Sequence, residues 1–449
     1  MQRQLLTGMN AFYALVTGQF ISMMGSAITR FGISVWVFNE TGSTSAYTLL
    51  LFFSIFPIGI GALIAGPLVD RWSRRRVMMV SDVIAGLSTL VIAILFFLNA
   101  LELWTLYAAL FVNGVASAFS RPALDASIPL LVPTDKLTRA AGLSQMSGAV
   151  EMILSSALAG FVVGVFGLGV VFVIDFVTFG INILIIMFTA IPQPQRSAAR
   201  QVAHNVWQDF VVGLSYVRQR PSLMYLLGLF SITMFLLPGV AYSLVTPLVL
   251  TFANEQSLGL ILSGFGVGSL LGGMFMAAWG KSRRRMQGIF AGMAVAGLAA
   301  ILISLRESTF LIGIGFLITG ISFVFIMGLS RVIWQMKAAP DVLGRVFSLQ
   351  LALGVGAQSL GALLAGVLAD RVFEPLFIGD GALVNTVGVL LGTGTGRGMA
   401  FMFLLVGVIQ IVVVLVSVAM PSVRQLEDRL PDAETVHLPL DTAPQAIRS

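Results

Sequence analysis

Gly66-Pro67-Leu68-Val69-Asp70-Arg71-Trp72-Ser73-Arg74-Arg75-Arg76 is a short basic stretch set between two long apolar ones. Residues 46–65 before it and 83–99 after it contain no charged residue. A run of roughly 20 such residues is long enough to cross a bilayer core of about 30 Å. The stretch therefore reads as a loop joining two membrane-spanning helices. The same alternation recurs along the whole chain. Of its 449 residues, 57% are hydrophobic and only 10% charged, and the mean hydropathy is +0.96. A soluble domain carries about 25% charged residues, so water is excluded as the main solvent. The fold expected is an all-α membrane protein with spans near 10–37, 46–68, 77–99, 104–119, 140–163, 168–190, 222–250, 256–279, 287–305, 309–329, 346–369 and 399–420.

The positive charges are sorted by loop. Alternate connections hold Arg71, Arg74 to Arg76, Arg121, Lys136, Arg139, Arg196, Arg200, Arg218, Arg220, Lys281, Arg283 to Arg285, Arg331, Lys337 and Arg345, while the other set holds only Arg306, Arg371 and Arg397. That asymmetry is the positive-inside rule, which places the basic loops and both termini in the cytoplasm. It accounts for the net charge of +6 without nucleic acid, since no basic stretch is interleaved with aromatics. The first run is too long for the apolar core of a signal peptide and reads as the first span.

The chain also matches itself. Ser73 to Arg76 falls on Ser282 to Arg285 at an offset of about 209 residues, and Asp135 to Arg139 resembles Asp341 to Arg345. Shared spacing predicts a duplicated six-span unit. The expected divisions are a first bundle over 1–190, an amphipathic linker over 191–221, a second bundle over 222–420 and a polar tail over 421–449. In the linker, Trp207, Phe210, Val211, Leu214 and Val217 recur at helical spacing, the pattern of a helix lying on the inner leaflet. Gly264, Gly268 and Gly272 form small-x-x-x-small steps, and Gly59, Gly61, Gly66, Gly354, Gly356, Gly361 and Gly366 mark the second and eleventh spans. Such faces permit close backbone approach, either where the bundles slide past each other or in ordinary packing.

The opening stretch resembles the G-x-x-x-D-R-x-G-R-[RK] signature of the major facilitator superfamily, in the place where that family carries it, with Ser73 for its glycine. The resemblance implies twelve helices in two pseudo-symmetric six-helix bundles and transport by alternating access. It implies a cytoplasmic latch built from Gly66, Asp70, Arg71, Arg74 and Arg75. In it Asp70 would face a helix N-terminus and the arginines would bind carboxylates or lipid phosphates. Trp279 stands in the slot of Asp70 in the second half. G-Q-F-I-S-M-M-G-S-A-I-T-R-F from Gly18, the run from Arg121 to Leu143, G-R-V-F-S-L from Gly344 and A-D-R-V-F-E-P-L from Ala369 are similar to the macrolide-efflux and siderophore-exporter branch of drug:proton antiporters. Ser26 stands where many relatives carry an acid, and Ser155 to Gly160 replaces the antiporter G-P-x-x-G-G run.

Three charged residues fall well inside the expected spans: Arg30, Glu151 and Asp175. A charge at the bilayer centre costs about 2.5–3.5 kcal/mol or more if unpaired. At 1.5 Å per residue, Arg30 and Asp175 both lie roughly 10 Å below the outer surface, and Glu151 roughly 20 Å down. Arg30 with Asp175 is therefore the expected ion pair, with a direct role in coupling or substrate binding as the other reading. Glu151 is either the site where a proton and a cationic substrate alternate, or a buried acid bonded to Gln145, Ser147 or a hydroxyl of the first span. Candidate cavity residues are Asn113, Gln145, Asn182, Tyr242 and Gln358, with Tyr107 and Tyr225. The expected partners are a small amphipathic substrate, protons and membrane lipids, with no nucleic acid, and a monomer is expected.

Other chemistries lack their residues. The chain has no cysteine, His204 and His437 lie far apart in polar segments, and Phe275 stands where a phosphate loop ending in Gly280-Lys281-Ser282 needs glycine. No metal, cofactor or enzyme activity is expected. The expected function is export, probed against two readings left open: a lipid or lysolipid flippase of the same fold, and a non-transporting scaffold or receptor.

Overall fold

The computed structural model describes residues 5–192, 206–278, 284–340, 342–420 and Glu427, with the backbone alone at 62–71 and 206–209. Among these residues the chain is helical and forms no sheet. The elements are α1 (Gly8–Thr41), α2 (Thr44–Arg71), α3 (Arg74–Phe97), α4 (Leu103–Leu131), α5 (Leu137–Met187), α6 (Val206–Arg218), α7 (Pro221–Met234), α8 (Tyr242–Leu250), α9 (Glu255–Ala278), α10 (Arg285–Ser304), α11 (Thr309–Lys337), α12 (Leu343–Leu368), α13 (Val387–Leu391) and α14 (Arg397–Ala419).

Twelve spans follow once two features are resolved. α5 is 51 residues long and breaks at Gly167, where φ is 73° and ψ 179°. Only glycine adopts that conformation without strain. It turns α5 into two antiparallel arms, 137–166 and 168–187. α7 and α8 form one span joined by a π-helical segment, Phe235–Ala241, around Pro238, which cannot donate to the helical ladder. α4 runs on through Pro122 and Pro129 to Leu131, twelve residues beyond the expected end near 119.

Both bundles follow the same scheme. In the first, α1 lies on α5, α2 on α4, and α3 between α4 and α5; in the second, α9 and α10 lie on α11, and α14 on α10. The seam of α1 with the second arm of α5 is glycine at every seventh residue. A Cβ at Gly18 would stand 2.7 Å from Asn182 Oδ1, and one at Gly32 2.8 Å from Leu168. Gly25 sits closer still to Thr178. The α9 stripe has a different place from the sliding surface that was one reading of it. Gly264, Gly268 and Gly272 pack against the α11 backbone within the second bundle, whereas Gly259 and Gly266 of α9 meet Gly160 and Ile153 of α5. Gly361 and Gly354 likewise pack inside the second bundle, while Gly59 and Gly366 meet the other one.

The bundles touch through α5 with α9 and α2 with α12, and they touch at one end. Gly160 meets Gly259, and Gly366 meets Ser45 and Thr48, at the end opposite the basic loops. There Asp370 accepts hydrogen bonds from Ser43 Oγ (2.8 Å), Thr44 N (3.1 Å) and Ser45 N (2.8 Å), capping the N-terminus of α2 from the other bundle. Asn39 and Glu255 meet beside it at 3.4 Å. Towards the basic end the helices part. Gly142 and Gly148 of α5 and Gly344 of α12 have nothing within 4 Å of a Cβ position.

The linker helix α6 departs from the expected surface helix in one respect. Its Phe210, Leu214 and Val217 pack into the second bundle beside Leu223, Trp334 and Val346, and Tyr216 Oη accepts from Ala339 N at 3.0 Å. Val211 and Val212 stay exposed. Residues 193–205, including His204, lie outside the described residues, as does the tail apart from Glu427. That residue pairs with Arg285 at 3.2 Å and accepts from Met286 N at 3.1 Å, capping α10.

Candidate functional site

A cavity of about 350 Å³ opens among α1, α2, α3 and α4, with Phe179 of α5 closing its floor. Its wall is unlike the rest of the membrane-embedded surface, since it carries Gln19, Arg30, Asp82, Asn113, Ser120 and Arg121. Nothing forces these residues together in sequence. Their helices bring them together because each presents its polar residues two turns apart, on the same face. Gln19 and Ser26 do so on α1, Asp82 and Thr89 on α3, Asn182 and Asp175 on the second arm of α5.

The result is a ladder of two polar rungs. In the lower, nearer the basic end, Asn182 Nδ2 donates to Asp82 Oδ2 at 2.7 Å and to Gln19 Oε1 at 3.5 Å, and Ser120 Oγ donates to Asp82 Oδ1 at 3.4 Å. In the upper, Ser26 Oγ and Thr89 Oγ1 donate to the two oxygens of Asp175 at 3.2 and 3.1 Å. Asp82 and Asp175 are 4% and 1% exposed. Each rung thus holds one buried carboxylate among neutral donors.

The expected Arg30–Asp175 ion pair does not form. Gly25 admits Asp175 towards α1 and α3, where hydroxyls take both oxygens, while Arg30, one turn further along α1, is exposed towards the cavity. A side pocket of about 20 Å³, lined by both residues and Asn113, separates them. That volume is room for one water molecule. Arg30 instead acts on several groups at once, its charge reaching Asp175, Glu151 and, across the bundles, Tyr242 of α8. Glu151 is half-buried on the first arm of α5, in the field of Arg30 and Arg121, with no hydrogen-bonded side-chain partner among the described residues. Ser147, one of its expected partners, donates to Leu143 O in its own helix, and Gln145 is exposed.

The chain matches the family model described as Major Facilitator Superfamily over residues 15–362. It belongs to that superfamily. It is 27% identical over 385 residues to Macrolide efflux protein A of Streptococcus pyogenes, covering 84% of this chain and 94% of that protein. It is 26% identical over 379 residues to Multidrug efflux pump Tap of Mycolicibacterium fortuitum, covering 80% and 88%. Among solved structures it resembles a bacterial homolog of the human lysosomal transporter Spinster in an inward-facing and unoccupied conformation. There the TM-score is 0.69 at 14% identity, with 93% of this chain and 96% of that one covered. The protein is thus a multi-pass facilitator that moves a small molecule across a membrane, a transporter and not an enzyme.

The remaining sequence candidates take varied places in this facilitator. Asn113 lines the cavity and its side pocket. Asn182 does not line it, being 1% exposed and bound to Asp82 behind the wall. Tyr242 packs against Phe265 and Phe316 in the second bundle, and Gln358 is half-buried on α12. Tyr107 and Tyr225 are engaged elsewhere, donating to Ala46 O at 3.1 Å and meeting Ser417 Oγ at 2.8 Å.

In the facilitator signature, the side chains of Asp70 and Arg71, the surroundings of Gly66 and the residue Trp279 fall outside what is described. Arg74 is buried, at 8% exposed. Among the described residues Arg75 is held by backbone carbonyls. Its Nε donates to Ile186 O at 3.1 Å and its Nη2 to Met187 O, where the end of α5 leaves carbonyls without helical partners. A guanidinium at a helix C-terminus also meets the negative end of its dipole. The sequence reading missed Asp82 altogether, along with Ser120 and Gln19. A polar residue seven positions from another on each of three helices was the signal that could have found them.

Proposed function

We propose that this facilitator exports a small amphipathic molecule, a macrolide-like drug or a secreted natural product, in exchange for protons. The basic loops are taken to lie in the cytoplasm of a bacterial cell, with the protein in the inner membrane as a monomer surrounded by lipid. Loop charge supports that orientation, and the efflux proteins it resembles support the direction of transport. With that orientation, contact at one end and parting at the other describe a cavity open to the cytoplasm and closed to the outside.

The observation that carries the reading is Glu151, a half-buried carboxyl without a hydrogen-bonded partner among the described residues, in the field of two arginines it does not pair with. An ionised carboxyl there attracts a cationic substrate from the cytoplasm. Once the bundles rock and expose it outward, a proton displaces the substrate; return to the inward state releases that proton and restores the charge. Arg30 sets how readily Glu151 gives up its proton, and Arg30 and Asp175 complete the charged set. Gly66, Asp70, Arg71, Arg74 and Arg75 form the cytoplasmic latch of this cycle.

Everted vesicles test it. Glu151→Gln is expected to abolish uphill transport of erythromycin and to flatten its pH dependence. Unchanged transport with an unchanged pH profile overturns the role of Glu151.

A further inference from the structure

The two-rung ladder is built into the cavity wall, and the transport cycle above leaves its lower carboxylate without a role. Asp82 shares the cavity with Arg30 on α1 and Arg121 on α4, and neither is within ion-pair distance. α4 presents Ser120 to it, α5 presents Asn182 beside it and Asp175 two turns away, and α2 presents Ser54. Burial of an ionised carboxyl among neutral donors alone is unfavourable, and binding a proton removes that cost.

The lower rung is built to hold its carboxyl in either form. Asn182 Nδ2 donates to both Asp82 and Gln19, leaving Asn182 Oδ1 buried against Gly18 with no donor. That is the arrangement an ionised Asp82 requires. If Asp82 binds a proton, its O–H needs an acceptor. Turning over the Asn182 amide supplies Oδ1, and turning over Gln19 supplies its amide N–H to the same oxygen. The chain of two amides and one carboxyl therefore has two self-consistent directions, differing by one proton. A purely structural acid needs only one of them.

The upper rung is reached along the same cavity. Ser22 and Ser26 of α1 and Asn113 of α4 line the space between Asp82 and the side pocket beside Asp175. The two carboxylates stand two helical turns apart, about 10 Å along the helix axis. Hydroxyls and an amide line the cavity along that gap, with Phe179 beside them.

We propose that Asp82 is a second proton-binding site of this transporter, with Asn182 and Gln19 as its positioning residues, and that it exchanges protons with Asp175 through the cavity inside the first bundle. The proton leaves the carboxyl of one aspartate for solvent or hydroxyl groups in the cavity and binds the carboxylate oxygen of the other, so each transfer leaves one site neutral and the other ionised. This inference rests on the reading of the protein as a proton-driven exporter, but not on Glu151.

Infrared difference spectra of the protein in lipid vesicles, titrated with pH, read protonated carboxyl groups directly through their carbonyl stretch. Asp82→Asn is expected to remove one titrating component and to shift the midpoint of the component that Asp175→Asn removes. Asn182→Ala keeps the carboxyl but takes away its acceptor, so it should move the frequency of the Asp82 component. This carries the test even where Asp82→Asn does not fold. With erythromycin as probe, Asp82→Asn is expected to lower proton-driven accumulation by at least about tenfold. A titration of both variants identical to wild type overturns the proposal. If only Glu151→Gln removes a component, the exporter reading survives and this one fails. If the wild type shows no titrating carboxyl and no proton-driven transport, the exporter reading itself fails.

Discussion

Gly167 and Arg75 show how single residues fix the first bundle. At Gly167 the backbone takes a conformation closed to other residues, and strain of that kind costs about 1–3 kcal/mol. Gly167→Ala is expected to lower the melting temperature in detergent and to slow transport, because the two arms of α5 can no longer fold back at that point. Arg75→Gln removes a charged donor from the last carbonyls of α5, a loss of about 1.5–3 kcal/mol. It should lower thermal stability without changing substrate binding, which thermal melts with and without erythromycin will check. Arg30, Glu151 and Asp175 were legible in the sequence because a charge inside an apolar run is conspicuous. Asp82 was not, since it follows the basic run Arg74 to Arg76 in a segment that reads as the edge of the membrane. The pairing of Arg30 with Asp175 failed for a different reason. Residue count gives depth along a helix, but the direction in which a side chain points around the axis is set by neighbours, here Gly25, Ser26 and Thr89.

At the scale of elements, α2 and α12 form an antiparallel pair joining the bundles, and each ends in the same word. Gly66-Pro67-Leu68-Val69-Asp70-Arg71 closes α2 at the basic end, and Gly366-Val367-Leu368-Ala369-Asp370-Arg371 closes α12 at the opposite end. Asp370 binds the first turn of α2 across the bundle boundary. Asp370→Ala removes the acceptor of three hydrogen bonds and is expected to shift the conformational equilibrium by about 1.5–3 kcal/mol away from the state closed at that end. Labelling of Asn39→Cys by a membrane-impermeant maleimide should rise accordingly, and unchanged labelling refutes it. The α9 glycines make a separate prediction. A Cβ at Gly272 would stand 2.7 Å from Ile321 O, and overpacking of this kind costs about 1–3 kcal/mol. Gly272→Leu should thus destabilise the second bundle, measured as a lower melting temperature. The small-x-x-x-small spacing was legible; the helix it faces was not, because a stripe of glycines fits any close neighbour.

For the whole molecule, the absence of cysteine makes the contact between bundles directly testable. Asn39→Cys with Glu255→Cys, introduced where the wild-type side chains meet, is expected to cross-link on oxidation, to stop transport, and to recover on reduction. Failure to stop transport when fully cross-linked means that the bundles do not part at this end. The duplication and the number of spans were legible because bilayer thickness imposes a length on every helix. The asymmetry of the interior was legible only in part. Buried carboxylates line the first bundle, while α8 of the second carries no charged residue, with Leu244, Val245, Leu248 and Val249 all buried.

The one-residue turn at Gly167 has a bearing on how the face opposite the basic loops meets the outside world. Connections on that face are short: two residues between α1 and α2, five between α3 and α4, Gly167 itself, and four each before α9 and α11. Only the segment from 369 to 396, with the exposed Val389 and Leu390 of α13, rises above them. An antibody fragment raised against intact cells would find almost its entire epitope in that one segment. The same scarcity of loops leaves little for a protease to cut, so an affinity tag or fluorescent reporter inserted on this side belongs between Ile378 and Thr386 and nowhere else.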